Sequence, residues 1–253
     1  MKAKNLIGYG LLVLGIKQNE TLGFRLITLL ARWLLPRYKF TWPELAWFSD
    51  SRLNRILNEY NELQGFNAHR RFAIQQLLRL TQSVPGDTAE CGVFMGCGSH
   101  IILESNQSQP LQRTHHIFDS FEGLSTPSGQ DGKYWRVGDL SVGLEEVRKN
   151  LSSFSDVRFH KGWIPDRFHE VAEARFSFVH VDVDLYQPTL ESVQFFYDRM
   201  NPGGIFVCDD YGFLTCPGAT SAIDGFLASK IEKMIPMPGG GGFFIKGCAT
   251  TME

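Results

Sequence analysis

Short apolar runs alternate with helix-type patterns over the last two thirds of the chain. Runs typical of buried strands occur within "TAECGVF", "THHIFDSF", "VRFHKGW", "FSFVHVDV" and "GGIFVCDD". Between them, "EEVRKNL" and "TLESVQFFYDRM" space their apolar residues as helices do. This alternation predicts β-α-β units, and therefore an α/β fold with a doubly wound, mostly parallel sheet. The glycine-rich "PGGGGFF" predicts a tight turn between two last strands.

The first part of the chain, residues 1–85, has a helical pattern instead. The string "WPELAWFSDSRLNRILNEYNELQ" predicts a helix that begins at Pro43, and "RRFAIQQLLRLTQSV" keeps helical spacing until Pro85 and Gly86. We therefore expect an N-terminal helical cap, serving as a lid or oligomerisation region, over residues 1–85. A single Rossmann-like domain is expected over residues 86–253.

Two apolar runs lie at the N-terminus. The first, residues 6–16, follows Lys2 and Lys4, and the second is "TLGFRLITLLARWLLPR". The first run lacks the small-residue cleavage site of a signal peptide, and each run is shorter than a membrane-spanning helix. The runs fit either amphipathic helices that pack on the domain or on a second subunit, or an interfacial membrane helix. The sequence favours packing, and with it a homo-oligomer, over membrane contact.

Composition and charge narrow the class of partner. The formal net charge is -2 and the pI is about 6.4, so no overall basic field favours nucleic acid as a partner. The five cysteines are odd in number and form no C-x-x-C pair, which favours neither a disulfide framework nor a zinc knuckle. A cytoplasmic location is the prediction that fits this cysteine usage.

The first predicted strand ends in a glycine-rich turn, "AECGVFMGCGS", which contains Glu90, Gly92, Gly96 and Gly98. Glycines at such a turn let the backbone approach a ligand closely. The G-x-G-x-x-G spacing and the lysine of phosphate-binding loops are absent. Because Glu90 would repel a phosphate, the turn suits a positively charged ligand such as S-adenosylmethionine. The alternative is that these glycines only shape a loop.

The second predicted strand ends in "FDSFEGL", which places Asp119 at 21 residues after Gly98. An acid at this spacing is positioned to accept hydrogen bonds from ribose hydroxyls, so a nucleoside-containing ligand is predicted. A helix-capping or surface role for Asp119 is the alternative.

Four acids follow two further strands. Asp182 and Asp184 occur in "FVHVDVDLY", and Asp209 and Asp210 occur in "FVCDDYG". The carboxyl ends of neighbouring strands meet at one edge of a doubly wound sheet, so the four carboxylates are expected to lie close together. They would repel one another unless a hard cation such as magnesium, calcium or manganese binds among them. Solvated acids that cap helices are the alternative.

Several strings together resemble the macrocin O-methyltransferase family of magnesium-dependent enzymes. They are "ECGVFMGCGS", "FDSFEGL", "HKGWIPDRF", "VDVDLYQPTLESV", "NPGGIFVCDDYG" and "PGATSAIDGF". The resemblance implies a class I methyltransferase fold, S-adenosylmethionine as methyl donor, Mg²⁺, and a hydroxyl of a sugar or sugar-bearing metabolite as acceptor. It also implies metal ligation by Asp182, Asp209 and Asp210. The predicted donor-binding residues are Glu90, Gly92, Gly96, Gly98, Ser99, Asp119, Ser120, Phe121, Gly162, Trp163 and Asp182.

The roles of the two acids in "VDVDLY" are expected to differ. The chain leaves the sheet at this point, so the two side chains can diverge although they would alternate to the same face. Asp182 is assigned to the metal, and Asp184 is the hypothetical general base, with His100 and His160 in reserve. His180, in the middle of its strand, is interpreted as a core histidine.

Two other functions fit the sequence less well. A nicotinamide-dependent sugar oxidoreductase would share the sheet, but the chain lacks its glycine spacing and has no tyrosine followed by lysine four positions later. A catalytically silent nucleoside-binding or membrane-associated protein is the other alternative, because of the N-terminal apolar runs.

Overall fold

The computed structural model describes residues 20–42 and 45–250. The chain divides into two compact parts, Met1–Asn54 and Arg55–Glu253, and each is described by itself. The first part contains helix α1, Glu20–Leu34, and a short 3-10 helix, Ala46–Ser49. Helix α2, Ser51–Glu59, begins at the end of this part. The role predicted for residues 1–85 as a cap or oligomerisation region stays a prediction.

Helix α1 packs on the segment that follows it. The ring of Phe24 meets Phe40 and Trp42 edge-on, with centroid distances of 6.5 and 6.1 Å. Thr28, one turn further along, is buried, and its hydroxyl donates to the carbonyl oxygen of Arg25 at 3.0 Å. Among the described residues, no helix combines the length and the apolar character needed to cross a membrane.

The start of α2 differs from the predicted one. The backbone N–H groups of Arg52 and Leu53 donate to Asp50 Oδ1 at 2.9 and 3.0 Å, so Asp50 caps a helix that begins at Ser51. The prediction of one continuous helix from Pro43 is therefore wrong, because this cap separates α2 from the 3-10 helix. Pro43 itself lies outside the described residues.

The second part holds a seven-stranded sheet with helices on both faces, ordered β3-β2-β1-β4-β5-β7-β6. Its strands are β1 Asp87–Cys91, β2 His115–Asp119, β3 Val157–Lys161, β4 Phe176–Val181, β5 Met200–Cys208, β6 Ile235–Pro236 and β7 Gly242–Ile245. Its helices after α2 are α3 Ala68–Leu80, α4 Cys97–Gln107, α5 Leu144–Asn150, α6 Tyr186–Tyr197 and α7 Pro217–Leu227, with a 3-10 helix at Phe168–Val171. The predicted α/β class is confirmed.

Strand direction brings the predicted site together. Strands β1 to β5 pair in parallel, and only β6 and β7 run antiparallel to their neighbours. The carboxyl ends of β1, β2, β4 and β5 therefore meet at one edge of the sheet. At the far end of the chain, the predicted glycine turn joins β6 to β7, with Met237 N–H donating to the carbonyl of Gly241 at 2.9 Å.

Two apolar cores hold the sheet between its helices. Neighbouring residues of β2 point to opposite faces: Ile117 packs with Leu103 of α4 and Val147 of α5, whereas Phe118 packs in the cluster that holds Phe196 of α6. Every residue of β4 is buried. The strand ends that carry the candidate site are thus fixed from both faces.

Candidate active site

The turn after β1 brings the chain unusually close to the end of β4. Asp182 N–H donates to the carbonyl of Cys91 at 2.9 Å, just before Gly92. Gly92 has a φ of +75°, and a Cβ at this position would overlap with the carbonyl oxygen of Asp182. Only glycine satisfies both requirements, so the first glycine of the predicted turn is explained by backbone geometry.

Replacement of Gly92 by alanine is expected to lower the free energy of unfolding by about 2 kcal/mol or more, because the left-handed φ and the overlap with Asp182 both add strain. Chemical denaturation measures the change. Gly129 is the matched control, since its φ is not in the left-handed range and no atom lies within 4 Å of a Cβ there. Equal stability of the Gly92→Ala and Gly129→Ala proteins would contradict this account.

A cavity of about 210 Å³ lies at the carboxyl edge of the sheet. It is bounded by the turns that follow β1, β2, β3 and β4, by a loop after β2 and by the start of α6. Its lining residues are Gly92, Val93, Phe94, Phe118, Asp119, Ser120, Gly123, Leu124, Ser125, Leu140, Trp163, Ile164, Asp182, Val183, Asp184, Leu185, Gln187, Pro188 and Glu191. A ligand there would contact apolar walls and a few acids, as is typical of small-molecule sites.

The predicted donor-binding residues fall into two groups. Those that line the cavity are Gly92, Asp119, Ser120, Trp163 and Asp182. Those of the described set that do not line it are Glu90, Gly96, Gly98, Ser99, Phe121 and Gly162. The residues of the second group lie in β1, at the start of α4, or in the turns after β2 and β3. Direct contact of any of these residues with the donor stays a prediction.

Glu90 is buried beneath the glycine turn. His180 Nδ1 lies 2.7 Å from Glu90 Oε1, and the hydroxyl of Ser99 donates to Glu90 Oε2. A Cβ on Gly98 would overlap with Glu90 Oε1, so this glycine makes room for the buried acid. Burial by itself raises the pKa of Glu90, but hydrogen bonds and charges from His115 and His180 outweigh burial and lower it to about 2. Glu90 is therefore an ionised anchor of the turn.

Asp119 faces the cavity and also organises its wall. Its Oδ2 accepts from Val93 N–H at 2.8 Å, and its Oδ1 accepts from Phe121 N–H at 2.6 Å. Phe121 has a φ of +57°, which this hydrogen bond stabilises. Burial raises the pKa of Asp119, although the two backbone donors oppose that change. Each carboxylate oxygen keeps a lone pair for a ligand hydroxyl.

Asp209 forms the centre of one charged cluster. Arg70 Nη1, on α3, pairs with Asp209 Oδ2, and His180 Nε2 lies 3.4 Å from Asp209 Oδ1. Burial raises the pKa of Asp209, but the charges of Arg70 and His180 outweigh it and hold the pKa well below its usual range. Burial lowers the pKa of His180, but the carboxylates of Asp209 and Glu90 on either side of its ring outweigh burial and raise the pKa to about 10. The predicted core histidine thus joins Glu90 to Asp209.

Asp182 and Asp184 diverge as the sequence predicts. Oxygens of Asp182 and Asp209 and a nitrogen of His180 lie within 4.8 Å of one another, whereas Asp184 forms a separate group of this kind with Asp210 and Cys216. Asp184 has a φ of +60°, so the backbone turns sharply between the two acids. Asp210 Oδ2 stabilises this turn by accepting the N–H groups of Val183 and Asp184 at 3.1 and 2.7 Å.

Asp182, Asp184 and Asp210 share their positive neighbours with other acids. Arg71 Nη1 is 3.9 Å from Asp182 Oδ2, but the guanidinium donates to Glu62 through its other nitrogens. Burial, reinforced by neighbouring carboxylates, raises the pKa of Asp182 to about 8 and that of Asp210 well above its usual range. Burial also raises the pKa of Asp184 to about 6. Carboxyl groups this close together can all ionise only if a cation offsets their charges, and their oxygen donors suit a hard divalent cation.

Several residues that lie at this site are not predicted from the sequence. Arg70 and Arg71 lie on α3, more than a hundred residues in sequence from Asp209 and Asp182. No local sequence pattern predicts these contacts. Cys216 Sγ lies 3.5 Å from Asp184 Oδ1, and this contact too has no signal in the local sequence. His180 could have been included, because it precedes Asp182 by two positions and strand alternation gives the two side chains one face.

The two reserve histidines lie away from the cavity. His100 Nδ1 is 3.2 Å from the hydroxyl of Tyr60, and its ring packs on Phe154. His160 bonds to Glu170 at 2.5 Å and to His116 at 3.1 Å. Neither histidine lines the cavity, whereas Asp184 does. The role of Asp184 as general base stays a prediction.

Comparison with known proteins identifies the chain as a class I, S-adenosylmethionine-dependent O-methyltransferase. The family model described as macrocin O-methyltransferase (TylF) matches residues 68–237, and the chain belongs to this family. The family resemblance of the sequence and the predicted enzyme class are therefore confirmed.

Curated relatives are O-methyltransferases of natural-product pathways. The chain is 30% identical over 184 residues to demethyldecarbamoylnovobiocin O-methyltransferase of Streptomyces niveus, covering 64% of this chain and 69% of the relative. It is 31% identical over 153 residues to 8-demethyl-8-(2,3-dimethoxy-alpha-L-rhamnosyl)-tetracenomycin-C 4'-O-methyltransferase of Streptomyces olivaceus, covering 55% of this chain and 58% of that relative.

Solved structures agree in fold. The O-methyltransferase NovP superposes with a TM-score of 0.58 at 27% identity, covering 71% of this chain and 80% of its own. The calicheamicin methyltransferase CalS11 superposes with a TM-score of 0.66 at 20% identity, covering 85% and 97% of the two chains, and this likeness shows the fold alone.

Proposed function

We propose that the protein transfers a methyl group from S-adenosylmethionine to a hydroxyl of a sugar or sugar-bearing metabolite, and that it requires Mg²⁺. The observation that carries the proposal is the largely buried acid cluster at the ends of β4 and β5, of which Asp182 and Asp184 line the cavity. Membership in a methyltransferase family disfavours the two alternatives, an oxidoreductase and a catalytically silent binding protein. Cytoplasmic location and homo-oligomerisation stay predictions.

The acceptor class is supported by the relatives. One of them is named for a rhamnosyl-bearing substrate, and another, mycinamicin III 3''-O-methyltransferase of Micromonospora griseorubida, is 30% identical over 152 residues. We assign a sugar hydroxyl to this chain on the basis of these names and of the cavity, whose lining includes acids suited to accept hydroxyl hydrogen bonds.

Methyl transfer is a displacement at carbon. The acceptor oxygen forms a bond to the methyl carbon, the carbon–sulfur bond of the donor breaks, and S-adenosylhomocysteine leaves with the electron pair. The turn after β1 and the Asp119 wall orient the donor, and such positioning can contribute about 7–11 kcal/mol to the barrier reduction. Asp184 Oδ1 or Oδ2 takes the hydroxyl proton, since this side chain lines the cavity and has a pKa raised to about 6.

Mg²⁺ would be held by Asp182, Asp209 and Asp210, and it would lower the pKa of an acceptor hydroxyl. The chain divides these three acids between two neighbouring groups. Asp210 Oδ2 already accepts two N–H groups, so its second oxygen is the one free to serve as a ligand. Arg70 occupies an oxygen of Asp209, so cation binding at that oxygen requires the guanidinium to move.

The function is tested by following transfer of a labelled methyl group from S-adenosylmethionine to rhamnosides and to a catechol, with Mg²⁺ and with EDTA. We expect label in the rhamnoside only when the divalent cation is present. Methylation of the catechol alone would contradict the acceptor class. Full activity in EDTA would contradict the metal requirement and leave the acceptor assignment intact.

Replacement of Asp119 by alanine is expected to weaken S-adenosylmethionine binding by about 1.5–3 kcal/mol, the usual contribution of a hydrogen bond to a charged group. Titration calorimetry with the donor measures this loss. The control is Asp156→Ala, which removes an exposed acid that does not line the cavity. Unchanged donor affinity in the Asp119 variant would show that Asp119 only supports the loop.

A further inference from the structure

Helix α1 has two apolar sides, and the described residues of the chain cover only one of them. Phe24 and Thr28 lie on the covered side, where Phe40 and Trp42 pack against the phenylalanine ring. The other side carries Leu26, Leu29, Leu30 and Trp33. These four positions have the spacing i, i+3, i+4 and i+7, so they form one continuous stripe along the helix.

The uncovered stripe is large for a protein surface. Leu29, Leu30 and Trp33 are 68%, 66% and 83% exposed. Leu35, Tyr38 and Trp42, just beyond the helix, are also exposed. Single exposed apolar residues are normal on a protein surface, but a contiguous apolar stripe marks a contact site with a partner or a membrane.

The charge of the segment identifies the partner. Residues 1–42 contain seven Lys or Arg residues and one acid, Glu20, whereas the whole chain has 25 basic and 27 acidic residues. Four of these basic residues, Arg25, Arg32, Arg37 and Lys39, belong to α1 and the described segment that follows it. Arg25 and Arg32 are both exposed and seven positions apart, so they follow one border of the stripe.

We propose that α1 binds the surface of an anionic lipid bilayer, with Leu26, Leu29, Leu30 and Trp33 in the interfacial region and Arg25 and Arg32 facing lipid headgroups. With 15 residues the helix is about 22 Å long, shorter than the hydrocarbon core, so it lies along the surface. The exposure of the stripe reverses the preference for packing that the sequence alone suggests. This binding is independent of methyl transfer.

A second copy of the chain is the competing occupant. A two-fold contact through the stripe would bring together two segments that each carry this excess of positive charge, and the arginines bordering each stripe would approach their counterparts. Anionic headgroups instead neutralise these side chains, and Trp33 and Trp42 are the aromatic type that concentrates at membrane interfaces. Charge complementarity therefore favours the bilayer.

Co-sedimentation of the full chain with vesicles tests the proposal. We expect binding to vesicles of phosphatidylcholine with phosphatidylglycerol, binding on the order of tenfold weaker to phosphatidylcholine alone, and loss of binding at high salt. Trp33→Glu should abolish binding to both vesicles, and the Arg25→Gln, Arg32→Gln double variant should reduce binding to the anionic vesicle alone. Ile231→Glu, at a 59% exposed position in the second part of the chain, is the control and should bind normally.

Light scattering and thermal melting without lipid separate the alternatives. The proposal expects Trp33→Glu to leave the oligomeric state and melting temperature of the protein unchanged. A dimer that Trp33→Glu converts to a monomer, without vesicle binding by the intact chain, would assign the stripe to a second copy. Equal binding to both vesicle types, or no binding, would also overturn the proposal.

Discussion

Replacement of Asp184 by asparagine is expected to lower turnover by roughly 10²-fold or more, while donor and metal binding stay near normal. Asparagine has the size of aspartate and tolerates the left-handed backbone that Asp184 adopts, so the substitution removes the proton acceptor without straining the turn. The hydrogen bond to Asp210 is donated by the backbone N–H of residue 184 and is therefore retained.

Single-turnover assays and donor calorimetry together measure this effect. Asp156→Asn, which removes an exposed acid outside the cavity, controls for loss of one negative charge. Intact turnover in Asp184→Asn would show that another group, or solvent, accepts the hydroxyl proton. A loss of donor affinity as large as the loss of turnover would show that Asp184 organises the cavity instead.

The sheet could be predicted because its strands carry their own signals. The apolar runs that contain β1 to β5 are short, end in glycine or acid, and alternate with helical spacing, and parallel topology follows from that alternation. The position of Pro43 did not predict where α2 begins, because the side chain of Asp50 caps the helix and determines its first residue. Helix boundaries depend on such single hydrogen bonds, which a periodic pattern does not reveal.

The site could be predicted only where its residues follow strands. Asp119, Asp182 and Asp184 lie at strand ends, and topology brings them to one cavity. The place of Glu90 in the glycine turn predicts a donor contact, which stays a prediction; its bond to His180, 90 residues further along the chain, has no signal in the sequence. Arg70 comes from a helix distant in sequence, so only the folded chain shows that it pairs with Asp209.

Asp182 is the most informative position for testing the metal. Asp209 is less suitable, because Arg70 and His180 both face its carboxylate within the fold. Asp209→Asn would remove the anionic partner of Arg70 and one of the two carboxylates that flank His180, and breaking such a buried pair typically costs about 3–5 kcal/mol of stability, which would confuse a binding measurement. Asp182 lines the cavity, is partly exposed, and has only a distant contact with Arg71, at 3.9 Å.

Replacement of Asp182 by asparagine is expected to raise the Mg²⁺ concentration needed for activity by about 10- to 100-fold, because one anionic ligand is lost while the oxygen geometry is kept. Saturating Mg²⁺ should restore most of the turnover, and calorimetry should show the same loss of Mg²⁺ affinity without substrate. Asp184→Asn is the matched control, since it neutralises an acid two residues away. An unchanged Mg²⁺ requirement in Asp182→Asn, or abolished Mg²⁺ binding in Asp184→Asn, would move the cation to the group formed by Asp184 and Asp210.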